Sequence, residues 1–319
     1  MGRNLRQAAT IAVLLAFSIS GSAAAQERPK PADASAAKQA PHLFADDSLF
    51  VGYGPDYETP FVFRPGSSSA ADIARVSAEF RHVDSWRLGD NLADISLRKS
   101  NSAEPSTGGG TGALEPYAIF RSSLSYNKVT QTRAMNRGPL RDLGLELGAN
   151  LETKNSSFAP EERTIYFGPV LQAKVPRGFL NVGLHFRKEW NHEGVLGKNE
   201  SYSPGFNIEP TWSIPFSVRR AMLTFDGFAD LNTPKGNDSF GSATHTEFIT
   251  RPFLWLDLGP VLHGKPHVIE AGLGFEYWNN EYGKSAQTVP GANELTPLFE
   301  LKIHLPISIP RGGASTQRR

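Results

Sequence analysis

The chain has 319 residues, enough for one large domain or two ordinary ones. Its 33 Lys and Arg nearly balance its 32 Asp and Glu, so no strong global field points to a nucleic acid polymer or an acidic lipid as partner. It has no cysteine, which excludes a disulfide framework, thiol catalysis and cysteine-based zinc sites. Its 30 glycines and 10% aromatic residues suit strands and turns better than a helical bundle.

In chain order, the first element is a leader. Arg3 and Arg6 precede an apolar run over 8–19 that is broken only by Thr10 and Ser18, and Ser22-Ala23-Ala24-Ala25 follows with small residues. This layout predicts a secretory signal peptide over 1–25. The run is short of the roughly 20 residues a helical span requires. Residues 26–48, rich in Ala, Pro, Lys and Asp, read as a mobile periplasmic linker. No later segment approaches 18 consecutive apolar residues, so helical spans are not expected.

From Leu49 onward the chain alternates with period two. The pattern predicts strands over 49–64, 74–85, 92–99, 115–126, 141–152, 164–175, 179–189, 205–216, 221–232, 246–258, 268–278 and 294–305. In 141–152, Leu143, Leu145, Leu147, Ala149 and Leu151 fall on one face, and Asp142, Glu146, Asn150 and Glu152 on the other. A helix would mix these sets, whereas a strand separates them. The same separation recurs in 179–189, 221–232 and 268–278.

Short connections alternate with long ones, except that 129–140 is long where a short turn is due. Such alternation is the outer-membrane pattern of periplasmic turns and extracellular loops. Strands of about ten residues match a tilted crossing of hydrocarbon. Trp86, Tyr126, Trp190, Phe216 and Tyr282 sit near strand ends, where an aromatic girdle would lie. An all-β fold is expected: a closed antiparallel transmembrane barrel of about twelve strands over 49–305. Its N- and C-termini would be periplasmic, with a basic tail over 306–319. The alternative architecture is a secreted β-sandwich, which also alternates.

Motifs for catalysis, metals and cofactors are lacking. The sequence holds no G-x-S-x-G elbow and no H-E-x-x-H pair. Gly283-Lys284-Ser285 has Trp278 where a phosphate loop needs glycine, and the glycine run 108–112 has no helix predicted after it. No catalytic residue, metal ligand or cofactor is therefore assigned. His185, in the middle of a polar strip, reads as a member of a lumen hydrogen-bond network.

The polar strips define the candidate lumen. They carry Tyr117, Arg121, Asp142, Glu146, Arg187, Glu209, Asp226, Phe228, Asp230, Arg251, Glu276 and Trp278 as solute-binding candidates. They also carry Glu79, Arg81, Glu247, Asp257, Glu270 and an inward Trp255. Acids outnumber bases, which disfavours anions. Aromatic faces beside polar groups suit a flat ring with hydroxyls. Many inward charges will instead pair across the narrow interior.

Several segments resemble the Tsx-like nucleoside-specific channels of the outer membrane, in the divergent branch called outer envelope proteins. They are VGYG at 51–54, GPLRDLGL at 138–145, NSSFAP at 155–160, GFLNV at 178–182 and EWNHEG at 189–194. EPTW at 209–212, FDGFAD at 225–230, PKGNDSFG at 234–241 and FEYWNN at 275–280 complete the set. The resemblance implies a monomeric twelve-stranded barrel whose narrow channel passes nucleosides. It supports Asp226, Asp230, Arg251 and Glu276 as lumen positions. One departure is the C-terminus: such barrels usually end on an aromatic residue, whereas here the last strand ends near His304-Leu305 and Pro306 follows.

The sequence thus predicts a non-enzymatic outer-membrane channel for passive diffusion of small, mostly neutral solutes, nucleosides foremost. Its expected partners are outer-membrane lipid and lipopolysaccharide, the outer-membrane assembly machinery and the solutes themselves. The alternatives are a barrel-embedded lipid hydrolase, or a plugged structural or adhesive barrel.

Overall fold

The computed structural model describes residues 42–156 and 160–306. The expected leader, the linker up to 41 and the tail from 307 lie outside the described residues. Every long element is a strand, and no described helix is long and apolar enough to cross a membrane. The strands are β1 His42–Tyr57, β2 Ile73–Trp86, β3 Gly89–Ser100, β4 Leu114–Ser125, β5 Leu140–Thr153 and β6 Glu161–Ala173. They continue as β7 Phe179–Glu193, β8 Gly205–Val218, β9 Ala221–Asn232, β10 in two pieces (Glu247–Thr250 and Phe253–Asp257), β11 Ile269–Asn279 and β12 Asn293–Leu305. The short strand Lys198–Ser201 pairs with the end of β7 outside this circuit.

Each strand pairs antiparallel with its sequence neighbours, and β12 returns to pair with β1, from Asp47 opposite Leu305 to Tyr53 opposite Phe299. The result is a closed barrel of 12 strands with no free edge. The expected strand positions hold, with one displacement. β1 begins at His42 and ends at Tyr57, whereas alternation alone suggested 49–64. Residues 42–48 are therefore wall rather than linker: Asp46 and Asp47 interrupt the apolar alternation there, which hides the strand.

β10 keeps a single register across its interruption. Ile249 opposes Trp278 and Phe253 opposes Gly274, the same register on either side of Arg251-Pro252. Pro252 has no N–H to give to the ladder, so the pairing lapses locally without a slip. The Arg251 N–H still donates to the Phe228 carbonyl at 3.1 Å.

The barrel is inside-out relative to a water-soluble protein. In β12, Leu295, Phe299, Leu301 and Ile303 are 64%, 50%, 52% and 42% exposed. Between them Glu294, Thr296, Leu298, Glu300 and Lys302 are at most 8% exposed. The same alternation runs round the wall, through Leu145 and Leu147 on β5, Leu184 and Phe186 on β7 and Phe206 and Ile208 on β8. An apolar outer wall with a polar, charged interior is the arrangement of a barrel solvated by lipid, where only closure satisfies every backbone group.

Connections 87–88, 126–139, 174–178, 219–220 and 258–268 leave one end, which also carries the described chain ends. Connections 58–72, 101–113, 154–160, 194–204, 233–246 and 280–292 leave the other. The long exception on the short-turn side is real: it holds a one-turn helix, Tyr126–Thr130, whose Lys128 N–H is capped by the Ser125 hydroxyl. Girdle aromatics also hold in part, since Trp190 and Phe216 face outward and are exposed. Tyr282 does not join the girdle. Its hydroxyl donates to Glu152 at 3.1 Å inside the loop-end mouth.

The closing seam is fastened from within. His304 Nδ1 on β12 lies 2.8 Å from Asp46 on β1, its Nε2 lies 3.5 Å from Glu270 on β11, and Lys302 Nζ lies 2.9 Å from Glu270. Removing the His304 ring leaves two acids short of a partner, at a cost of about 1 kcal/mol or more. His304→Ala is therefore expected to lower the temperature at which the refolded barrel loses its compact electrophoretic mobility. The outward Leu301→Ala, in lipid on both sides of the comparison, leaves the seam contacts intact.

Candidate functional site: the lumen

Large side chains enter the lumen where a neighbouring strand offers glycine. Gly148 on β5 sits opposite Arg121 on β4, and a methyl group built on Gly148 would meet the Arg121 side chain. Gly272 on β11 likewise sits opposite Trp255 on β10, against whose ring any Cβ would press. Glycine here answers a need for close approach.

Two side-chain networks result. The first joins β4 to β9. Arg121 donates to Glu209 at 3.0 Å and to Asn150 at 2.8 Å, and its guanidinium lies 4.4 Å from the centre of the Tyr166 ring. Asn150 donates to the Tyr117 hydroxyl at 2.8 Å. His185 is 1% exposed, with Nε2 3.2 Å from Glu146 and Nδ1 3.0 Å from Asn207. Asn207 donates onward to Asp230 at 2.7 Å. His185 is thus the network member expected from sequence.

The second network joins β10–β12 to β1–β3. Phe253 and Trp255 stack with centroids 5.0 Å apart, and Phe50 meets Trp255 edge-on at 5.8 Å. Cations cover these rings: Lys302 Nζ is 4.1 Å from the Trp255 centroid and the Arg81 guanidinium 4.8 Å from that of Phe50. Carboxylates hold the cations in turn. Arg81 donates to Glu79 and Asp94, each at 2.8 Å, and Arg251 pairs with Glu300 and lies 3.9 Å from Glu276. Trp255 does point inward, as alternation requires, but at 2% exposure it belongs to the wall.

The twelve candidates therefore divide. Tyr117, Arg121, Glu146, Glu209 and Asp230 meet in the first network. Arg251 and Glu276 belong to the second. Arg187 is buried and pairs with Glu189, and Asp142 accepts from the Ser125 hydroxyl and the Asn127 N–H beside the short helix. Trp278 donates from Nε1 to Glu247 at 2.9 Å, with its ring 5.3 Å from that of Tyr282. Phe228 and Asp226 project inward from β9, and the Asp226 carboxylate makes no hydrogen bond or ion pair with the described residues. Sequence reasoning passed over Phe50, Tyr166, Asn207 and Lys302, although their positions in the alternation place them inward.

At the loop end, Phe61, Lys154, Glu193, Tyr202, Lys235 and Tyr282 are among the residues surrounding a small cleft that opens to solvent. Its lysines are tied back: Lys154 lies 2.8 Å from both Glu104 and Glu115, Lys235 lies 2.5 Å from Glu189, and Lys284 pairs with Asp238. Burial and the adjacent Glu294 push the Glu281 carboxyl in loop 280–292 well above the usual carboxylate range. At the other end, Ser85, Asp90, Lys128 and Asp142 border a second opening.

A hydrolase in such a barrel needs a serine–histidine pair. On the outer wall His82 Nδ1 lies 2.6 Å from Asp47, while Ser122 donates to Asn91. In the lumen Ser48 approaches His304 at 3.1 Å, but its hydroxyl donates to Asp46 at 2.6 Å and it is 2% exposed. Neither arrangement presents an activated, accessible nucleophile.

No protein-family model matches the chain, and no curated protein matches it in sequence. Among solved structures it is similar to the NanC porin, at 11% identity and a TM-score of 0.44, covering 81% of this chain and 100% of that one. It is also similar to the translocator domain of the autotransporter NalP from Neisseria meningitidis, at 12% identity and a TM-score of 0.39, covering 82% and 87%. A third similar structure is the KdgM porin in complex with disordered oligogalacturonate, at 8% identity and a TM-score of 0.35, covering 83% and 99%.

Two outcomes follow from the networks. Arg121→Met takes from Glu209 its guanidinium partner in the barrel interior and is expected to cost about 3 kcal/mol, read as a lower denaturant midpoint for the refolded barrel. In loop 233–246, burial alone would raise the Asp238 carboxyl. Its bonds from Lys284 and from the Ser242 and Phe240 N–H groups overcome this and hold it below the ordinary range. A depressed carboxylate contributes fully above its unfolded pKa and loses that contribution as pH falls through its folded one. Hydrogen exchange in 233–246 is therefore expected to quicken below about pH 4 relative to the wall, and Lys284→Met is expected to weaken that pH dependence.

Proposed function

We propose that this protein is a passive diffusion channel of the outer membrane, admitting small, mostly neutral solutes, with nucleosides as the class favoured. The observation that carries this is a closed barrel with an apolar outer wall, whose inward side chains are hydrogen-bonding, charged and aromatic groups. A wall of this kind offers a solute many weak contacts in succession, each weak enough for release. In this reading the loops face outside and the chain ends face the periplasm, after export by the N-terminal leader. Outer-membrane lipid and lipopolysaccharide surround the barrel, which acts as a monomer.

Trp278 supplies an aromatic face close to the loop-end mouth, with its N–H already occupied by Glu247. A flat base stacks there while hydroxyls of a ribose reach the polar groups deeper in. Arg121, Glu209 and Asp230 are the groups expected to meet them, because they gather in one network inside the barrel.

The test is single-channel conductance of the refolded protein in a planar bilayer, titrated with adenosine, thymidine and glucose. Block by nucleosides at lower concentration than by glucose supports the proposal. Trp278→Ala is expected to weaken nucleoside block about fivefold, the value of one aromatic contact of about 1 kcal/mol. Conductance indifferent to nucleosides overturns the substrate class, and absence of conductance overturns the channel.

A further inference from the structure

We propose that the lumen selects cationic over anionic solutes, with Asp226 as the residue that sets the preference and small ammonium compounds as the class it favours. This rests on the channel reading above and names a charge preference within it.

Carboxylates already hold the cations that face the lumen. The most exposed lumen cation is Arg81, at 34% side-chain exposure, and it is held by two carboxylates, Glu79 and Asp94. Arg121 is 6% exposed and spends its donors on Glu209, Asn150 and nearby carbonyls. The acids facing the same space are more exposed than Arg121, though less than Arg81. Glu146 and Glu209 are 15% and 11% exposed, and Asp226 is only partly buried.

Asp226 differs from its neighbours in having no partner. Glu209 is engaged by Arg121 and Glu146 by His185, whereas the Asp226 carboxylate makes no hydrogen bond or ion pair with the described residues. Its charge is felt at Arg81, where Glu79 and Asp94 act first. With Arg81 and Arg121 held by carboxylates, the unpaired Asp226 leaves surplus negative charge inside a wall of low dielectric, which concentrates its field in the lumen.

Phe228 follows two residues later on the same inward face of β9. A carboxylate beside an aromatic face is suited to an ammonium group, which gains from the charge and from the ring quadrupole together. An anion would gain from neither.

The full refolded chain in a planar bilayer tests this by its reversal potential in a potassium chloride gradient, repeated with tetramethylammonium chloride. The expected potential lies closer to the equilibrium potential of the cation in both salts. Because Asp226 holds no other side chain in place, Asp226→Asn is expected to fold. It should lower the cation-to-anion permeability ratio about tenfold, because one unit charge about 6 Å from the ion in a water-like dielectric favours the cation and disfavours the anion about threefold each. Asp226→Glu is expected to keep the ratio. A reversal potential at zero or towards chloride, or a ratio unchanged in Asp226→Asn, would sink the proposal while leaving the channel standing. No conductance in any salt would remove both.

Discussion

Closure of β12 onto β1 is the constraint on which the rest of this molecule depends. A sheet in lipid has no water to satisfy an open edge, so every strand must find two neighbours. Once the ring is closed, each side chain has only two destinations, the lipid or the lumen, and the sequence must alternate between them. The seam itself carries acids and bases, Asp46, Glu270, Lys302 and His304, on its inner face. The two chain segments that must find each other last thus carry complementary charge where the barrel is wet.

That two-way choice explains how much of the fold was legible in the sequence. Strands such as β5, β7 and β11 carry clean alternation and were placed to within a few residues. β1 was misplaced because Asp46 and Asp47 put acids on both faces, so its first turn of alternation resembles a polar linker. Tyr282 was misread for a different reason: an aromatic residue near a strand end looks the same whether it turns to the lipid or folds into the mouth. Only the path of loop 280–292 decides between them.

The candidate site was legible at the level of side and illegible at the level of partner. Alternation placed Arg121, Glu146, Glu209 and Asp230 inside, yet nothing in their spacing says that Arg121 and Glu209, on β4 and β8, meet across the interior. Asn207 and Tyr166 link these residues, and as neutral side chains they gave no charge signal. Which acids are engaged and which are spare is a property of the closed ring. The difference between Glu209, held by a guanidinium, and Asp226, held by nothing, is visible only there.

The pairing of a bulky lumen side chain with a glycine on the next strand has a consequence for how such a barrel changes over time. Gly148 and Arg121, or Gly272 and Trp255, behave as a single unit of bore: one fills the space the other vacates. Exchanging the two partners moves the obstruction sideways by one strand, while replacing the bulky partner with a smaller residue opens the passage at that height alone. Neither change touches an outward-facing residue. The calibre of the passage and the fit of the barrel to its membrane can therefore drift independently, through substitutions at alternate positions of the same strands.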